Sequence, residues 1–249
     1  MKNTIKPLLA IFITLLSLTQ IIAQNKGEFS EVTFSTEDNL KINAVLQYPK
    51  ESKTSSPAII LIHQGGSSKE EWTSLPVVQQ LIKEGYAILA YDIRIHGKSE
   101  KDDGNLYDLF NNPKRAPLDL VAAIQFLKKD KHINPNRIGV MGASIGANLA
   151  CIATSNRFKA KSIVSISAKI AAAQNLSGSK EIIAPKNGFY IASEKEQGGK
   201  RAEWAHDLYN KTSGERKVEI GKGNAHGVHI LKQNKFLEKS IVEWFKKTL

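Results

Sequence analysis

The serine at position 144 lies within the sequence Gly-Ala-Ser-Ile-Gly of residues 142–146. A serine hydroxyl becomes a useful nucleophile only when a neighbouring base takes its proton. Residues 137–142 predict a short buried strand, and the Ala- and Leu-rich residues after Ser144 predict a helix. Glycine at both flanking positions permits a tight, strained turn, because side chains there would collide with the strand and helix. The pattern therefore predicts that Ser144 is a nucleophile held at a strand-to-helix turn.

A second glycine-containing loop, His-Gln-Gly-Gly over residues 63–66, follows an earlier apolar strand. Acyl transfer to a serine needs two backbone N–H groups directed at the oxyanion that develops on the substrate carbonyl. A glycine in this loop can present its N–H without obstruction, so Gly65 is predicted to be one donor, with Gln64 as the alternative. The N–H of Ile145 is predicted to be the other donor. His63 is expected to brace the loop rather than to react.

The loop after the next predicted strand reads Asp-Ile-Arg-Ile-His-Gly-Lys-Ser over residues 92–99. With the two glycine-containing segments, it resembles the D-x-R-G-x-G-x-S loop of the α/β-hydrolase superfamily, most closely its small, lidless, dienelactone-hydrolase-like esterases. The resemblance spans essentially residues 24–249 and implies that an acid and then a histidine follow the nucleophile. It also implies structural roles for Asp92 and Arg94. Ile95 stands where the family usually has glycine, so a slightly different loop geometry is expected.

The histidine of such a triad must lie after Ser144, where the chain has three candidates. His226 lies in a loop directly after the last predicted strand, and its small neighbours leave the imidazole free to reach the serine. It is therefore predicted to be the base. His229, near the start of the final predicted helix, is the alternative. His206 lies inside a helix and is expected to be a surface or packing residue.

The acid is the point at which this chain departs from the family pattern. The family usually has an aspartate shortly after the strand predicted at 188–192, whereas no aspartate occurs here before Asp207. Glu196 falls at the expected position, and its carboxylate can orient and stabilise a histidine as an aspartate does. Glu194 is the alternative, and Asp207 is poorly placed within a helix. A solvated, charged loop without a catalytic acid is the competing interpretation.

The elements that would position these residues follow an alternating pattern. Two segments with alternating polarity, 30–36 and 40–48, predict an N-terminal antiparallel hairpin. From residue 57 onward, continuous apolar strands alternate with helices, which is typical of a parallel sheet covered on both faces. Further strands are predicted at 58–63, 86–91, 138–141, 162–166, 189–192 and 217–220, and helices at 75–84, 118–129, 145–154, 168–176, 201–211 and 231–247. The predicted fold class is α/β: an α/β-hydrolase fold with a mostly parallel eight-stranded sheet.

The N-terminus predicts an export signal. Lys2 and Lys6 precede an apolar run from Leu8 to Ala23 that is short for a membrane-spanning helix, which needs about 20 mostly apolar residues. Residues 1–23 are therefore predicted to be a cleaved signal peptide, and residues 24–249 a single domain without a stable membrane anchor. The predicted location is secreted or periplasmic.

The formal net charge of +11 is spread as lysines over several helices, which indicates a solvated basic surface. Nucleic acid is not predicted as a partner, because the chain lacks an aromatic and basic recognition motif. The single cysteine, Cys151, can form no internal disulfide and is expected to be a small buried apolar residue. His226 and His229 have no third ligand at a suitable spacing, so neither a metal nor another cofactor is predicted.

These observations predict an exported serine hydrolase that cleaves carboxylic esters through an acyl-enzyme, with a small-molecule or glycan ester as substrate. The alternatives are a hydrolase-fold binding protein with impaired turnover, and an acyltransferase or peptidase that uses the same triad. Substrate walls are expected from the loops that carry Trp72 and, over residues 104–113, Tyr107 and Phe110, although Trp72 and Phe110 could equally pack the loop bases.

Overall fold

Eight strands form one sheet in the computed structural model, which describes residues 28–51 and 55–249. The predicted signal peptide lies outside these residues. The strands are β1 (Ser30–Ser35), β2 (Lys41–Gln47), β3 (Ser56–Ile62), β4 (Ala87–Tyr91), β5 (Ile133–Ala143), β6 (Ser162–Ile166), β7 (Lys186–Ser193) and β8 (Ser213–Gly221). Their spatial order is β1-β2-β4-β3-β5-β6-β7-β8. Strand β2 is antiparallel to β1 and β4, and the remaining pairs are parallel. The predicted hairpin and mostly parallel sheet are therefore confirmed.

Helices cover both faces of this sheet. They are α1 (Glu70–Thr73), α2 (Pro76–Lys83), α3 (Asp108–Asn111), α4 (Ala116–Lys129), α5 (Ile145–Ile152), α6 (Ile170–Ser177), α7 (Lys200–Lys211), α8 (His229–Gln233) and α9 (Phe236–Thr248), with a short 3₁₀ turn at Glu196–Gly199. The central strands are unbroken apolar runs because both of their faces are buried, as in β4, where all five residues are buried. None of the described helices has the length and hydropathy of a membrane span.

Two apolar cores lie on opposite faces of the sheet. The first core includes Leu109, Ile145 and Leu176, and the helices packed there are α3 to α7. The second core includes Trp72 and Val228, together with residues of α2, α8 and α9. The loops at the carboxyl ends of the parallel strands lie between these two layers, which is the usual place for a ligand site in an open α/β sheet.

The final helix differs from its prediction. The single helix predicted at 231–247 is two helices, because the chain leaves helical geometry at Asn234. The carboxamide of this buried residue accepts a hydrogen bond from Lys222 N at 2.9 Å and donates one to Lys222 O at 3.3 Å. An asparagine side chain that bonds to backbone elsewhere competes with helix continuation. These hydrogen bonds thus connect the end of α8 to the loop that carries His226.

Candidate active site

Ser144 occupies a strained backbone position between β5 and α5. Its φ is 54° and its ψ is −107°, a region that residues with a Cβ rarely adopt. Its N–H donates to Ile166 O of the neighbouring strand at 2.9 Å, and its carbonyl accepts from Asn148 N at 3.1 Å to begin the helix. The turn is therefore held from both sides, and the side chain of Ser144 leaves the sheet at its carboxyl edge.

The two glycines of the motif are required by close backbone packing. A Cβ added at Gly142 would clash with the carbonyl of Gly146, and one added at Gly146 would clash with the carbonyl of Ile62 in β3. Helix α5 therefore starts in direct contact with the backbone of two strands. This is the physical reason expected for glycine at both positions of the motif.

The structure brings Glu196 and His226 together. His226 Nδ1–H donates to Glu196 Oε1 at 2.5 Å, and Ser167 Oγ donates to Glu196 Oε2 at 2.8 Å. Glu196 is only 4% exposed. Ser167 Oγ also accepts a hydrogen bond from Gly227 N at 3.0 Å, so one hydroxyl links the acid to the histidine loop. A carboxylate on Nδ1 leaves Nε2 of a neutral imidazole as the base.

Ser167 and Arg201 support this pair, and the sequence analysis missed both. Arg201 donates from one terminal nitrogen to Ser167 O at 2.7 Å, and its Nε lies 3.4 Å from Glu196 Oε1. Burial lowers the pKa of Arg201, and the nearby Glu196 carboxylate opposes that shift. Ser167 could have been found as a polar residue directly after a buried strand at the same sheet edge. No comparable signal marks Arg201, which lies within an amphipathic helix.

The alternative acids and histidines lie elsewhere. Glu194 is exposed and accepts a hydrogen bond from Gly223 N at 3.2 Å, rather than one from a histidine. His206 and Asp207 are exposed on α7, and His229 is exposed at the first turn of α8.

The serine turn and the histidine loop are neighbours without a direct bond. Among the described residues, no hydrogen bond joins Ser144 to His226. A Cβ built on Gly227 would lie 3.6 Å from the Cβ of Ala143, so the residues adjacent to the two side chains are in contact. Catalytic hydrogen bonds are often long in the absence of substrate and shorten in the complex.

The loop over residues 63–66 contains the predicted oxyanion donor Gly65 N, and the N–H groups of both neighbouring residues already have hydrogen-bond acceptors. Gln64 N donates to Glu71 Oε1 at 3.1 Å, and Gly66 N donates to His96 Nε2 at 3.2 Å. Within the described part of the chain, Gly65 N has no acceptor. A Cβ built on Gly65 would lie 2.8 Å from Ile145 Cδ1, which places the loop against the residue that follows the serine. The two predicted donors thus belong to adjacent residues in space.

Comparison with known proteins agrees with this architecture. Residues 57–190 match the model of the α/β hydrolase fold family. The chain belongs to this family. Family membership supports a hydrolase.

Similarity to individual proteins is consistent with membership of the α/β hydrolase family. It is 32% identical over 133 residues to the quorum-quenching protein AidA of Acinetobacter baumannii, a match that covers 52% of this chain and 41% of AidA. The chain spans less than half the length of each curated relative considered. The structure of esterase Pf2001 of Pyrococcus furiosus aligns with a TM-score of 0.68 and 21% identity, over 89% of this chain and 93% of the esterase. The dienelactone hydrolase of Anabaena variabilis aligns with a TM-score of 0.65 and 18% identity, over 89% and 98%. At these identities the two structures show the shared fold.

Within the hydrolase fold, the loop over residues 92–99 is structural. Asp92 is buried and accepts hydrogen bonds from Lys69 Nζ at 2.8 Å and from Lys98 N at 2.9 Å. Arg94 is buried and donates to three carboxylates, those of Asp38, Asp102 and Asp119. Ile95 has a φ of 61°, so the loop retains the left-handed conformation that glycine adopts without strain. Isoleucine in place of the usual glycine therefore adds strain at position 95 but leaves its φ positive.

Two further expectations concern the packing of aromatic residues and of Cys151. Trp72 is fully buried in the second core, and Phe110 packs against the first, so both support the loop bases. Cys151 is buried, which raises the pKa of its thiol to about 12 and agrees with an apolar role. No group of three or more His, Cys, Asp or Glu side chains among the described residues is arranged to hold a metal ion.

His63 braces the loop that carries Gly65. Its Nδ1–H donates to Gln64 O at 2.7 Å, and its Nε2 accepts from Ile93 N at 2.9 Å. This arrangement requires the neutral imidazole, and burial lowers the pKa of His63 from 6.5 to about 4.

Replacing His63 with glutamine is expected to reduce the loss of stability in mild acid. As the pH falls from 7 to 5, the unfolded chain protonates His63 and the folded chain does not, so protonation favours unfolding. The wild-type free energy of unfolding should therefore decrease by about 2 kcal/mol more than that of the variant over this interval. Urea unfolding at the two pH values measures the difference. Equal decreases for both proteins would show that His63 is not held neutral by the fold.

Proposed function

We propose that this protein is a serine hydrolase that cleaves carboxylic esters through an acyl-enzyme. Ser144 is the nucleophile, His226 the general base, and Glu196 the acid that orients and stabilises the imidazole. The observation that carries the proposal is the hydrogen bond between His226 and the buried Glu196, at the same sheet edge as a strained serine turn.

In the first half of the reaction, Ser144 Oγ attacks the ester carbonyl carbon and its proton passes to His226 Nε2. The bond from this carbon to the alcohol oxygen then breaks, and His226 returns the proton to the departing alcohol. In the second half, water attacks the acyl-enzyme and gives a proton to the same nitrogen. The bond from the acyl carbon to Ser144 Oγ then breaks, and His226 returns the proton to Oγ, which releases the carboxylic acid and restores Ser144.

Gly65 N and Ile145 N are the proposed donors to the oxyanion. Gly65 N is preferred over Gln64 N because the latter already donates to the Glu71 carboxylate. Ile145 N lies at the first position of α5, where the backbone N–H groups have no partner inside the helix. Two fixed donors stabilise the charge that develops on the carbonyl oxygen without a later cost of reorientation.

The remaining elements of the proposal come from the sequence. Residues 1–23 act as a signal peptide, and the mature single-domain protein is secreted or periplasmic, with a small-molecule or glycan ester as substrate. Neither a nucleic acid, a metal nor a cofactor takes part. An acyltransferase uses the same acyl-enzyme with an alcohol in place of water, and a peptidase attacks an amide. Glu196 beside His226 favours turnover over a binding protein without activity.

A covalent probe tests the proposal directly. A fluorophosphonate should label the protein once, and peptide mapping should place the label on Ser144. Short p-nitrophenyl esters should be hydrolysed in the same preparation, and the unlabelled Ser144→Ala variant is the control. Absence of both labelling and hydrolysis would refute the proposed function.

A further inference from the structure

The segment over residues 101–115 presents apolar side chains beside the proposed oxyanion donors. Leu106 is 51% exposed and Tyr107 is 71% exposed, two of only four large apolar side chains with such exposure among the described residues. A Cβ built on Gly65 would lie 3.6 Å from Leu106 Cδ1 and 2.8 Å from Ile145 Cδ1. Leu106 therefore adjoins the site, and Tyr107 is the next residue along the chain.

Ion pairs hold this segment in place. Asp102 Oδ2 accepts hydrogen bonds from Arg94 and from Arg115 Nε, each at 2.9 Å. Arg94 is only 1% exposed and is anchored by further carboxylates, so the connection leads from the segment into the protein interior. Asn175 Nδ2 of α6 donates to Asn111 Oδ1 at 2.8 Å at the other end. A segment fixed in this way offers its apolar side chains with little ordering left to occur on binding.

The position of the segment selects one side of the substrate. Leu109, two residues after Tyr107, packs into the first core, whereas Val228, two residues after His226, packs into the second core on the other face of the sheet. The proposed mechanism puts the departing alcohol beside His226. The acyl chain then extends toward the opposite side, where Leu106 and Tyr107 lie.

We propose that Leu106 and Tyr107 form the acyl-binding surface of this site, and that the preferred acyl chain is apolar and longer than acetyl. This inference rests on the proposed ester hydrolysis. Burial of apolar surface increases binding by about fourfold for each fully buried methylene, so chain length is a sensitive measure of such a surface.

Kinetics with p-nitrophenyl acetate and octanoate test the surface. We expect kcat/KM of the wild type to favour octanoate, and the Leu106→Ser/Tyr107→Ser variant to lower the octanoate-to-acetate ratio about tenfold while acetate hydrolysis stays within about threefold. The matched control is Ile182→Ser, because Ile182 is 73% exposed but lies outside segment 101–115, and it should leave the ratio unchanged. An unchanged ratio in the double variant would overturn the inference.

A second series varies the alcohol at constant acyl length, from methyl to hexyl butyrate. The double variant should retain the wild-type dependence on alcohol length. If the double variant instead lost the dependence on alcohol length and kept the dependence on acyl length, the surface would bind the leaving group. That result would overturn the acyl assignment.

A binding measurement separates this inference from the proposed function. Calorimetric titration of sodium octanoate into Ser144→Ala should give a Kd that rises about tenfold when Leu106 and Tyr107 are also replaced with serine. Such a rise would support the apolar surface. If the wild type hydrolysed no ester, the proposed reaction would be refuted while this support for the surface remained. Equal octanoate affinity in both proteins would refute the surface even if esters are hydrolysed.

Discussion

Replacement of Ser144 with alanine is expected to lower kcat for p-nitrophenyl butyrate about 10⁴-fold or more. The variant retains the Cβ and the strained turn but lacks the only atom that can form the acyl-enzyme. The measurement is steady-state hydrolysis, with circular dichroism and thermal unfolding as controls for the fold. Activity within tenfold of the wild type would exclude Ser144 as the nucleophile.

A variant of His226 tests whether this residue and Ser144 act as one catalytic unit. His226→Ala should reduce kcat to a similar degree, and the double variant Ser144→Ala/His226→Ala should be little worse than either single variant. Residues that act as one catalytic unit show this strong non-additivity. Multiplicative losses would instead indicate that the two side chains act independently.

Replacement of Glu196 with glutamine is expected to lower kcat about 10³-fold. The amide is nearly the same size, but it removes the negative charge that stabilises the imidazolium. It can also donate a hydrogen bond to Nδ1 and thereby favour the wrong histidine tautomer. Steady-state kinetics with p-nitrophenyl butyrate measures the loss.

Glu194 is a matched control for this substitution, because it is two residues away and is exposed. Glu194→Gln should leave kcat within about twofold of the wild type. If Glu194→Gln were the more damaging change, Glu194 would be the catalytic acid. If neither change mattered, the loop would carry no catalytic acid.

Much of the fold could be predicted from the pattern of apolar residues. The N-terminal hairpin and the alternation of strands and helices agree with the structure because each depends on local periodicity and burial. Apolar residues on both sides of Asn234 predict the final helix in one piece. The break is caused by hydrogen bonds to Lys222, twelve residues earlier, which no local pattern shows.

Within the candidate site, the serine turn could be predicted from residue types alone. A side chain at Gly142 would clash with Gly146 in the same strand-turn-helix segment, so the motif contains its own reason for this glycine. The clash at Gly146 is instead with Ile62 of β3, which is distant in the chain.

The carboxylate that meets His226 could not be chosen from the spacing of residues along the chain. The sequence offered both Glu194 and Glu196, and the selection depends on the 3₁₀ turn after β7, which buries Glu196 and leaves Glu194 exposed. The supporting contacts of Ser167 and Arg201 come from other elements. Likewise, Gly65 N is left uncommitted because Glu71 and His96 take the neighbouring N–H groups. Such choices depend on side-chain direction across strands that are distant in sequence, and spacing along the chain does not encode direction.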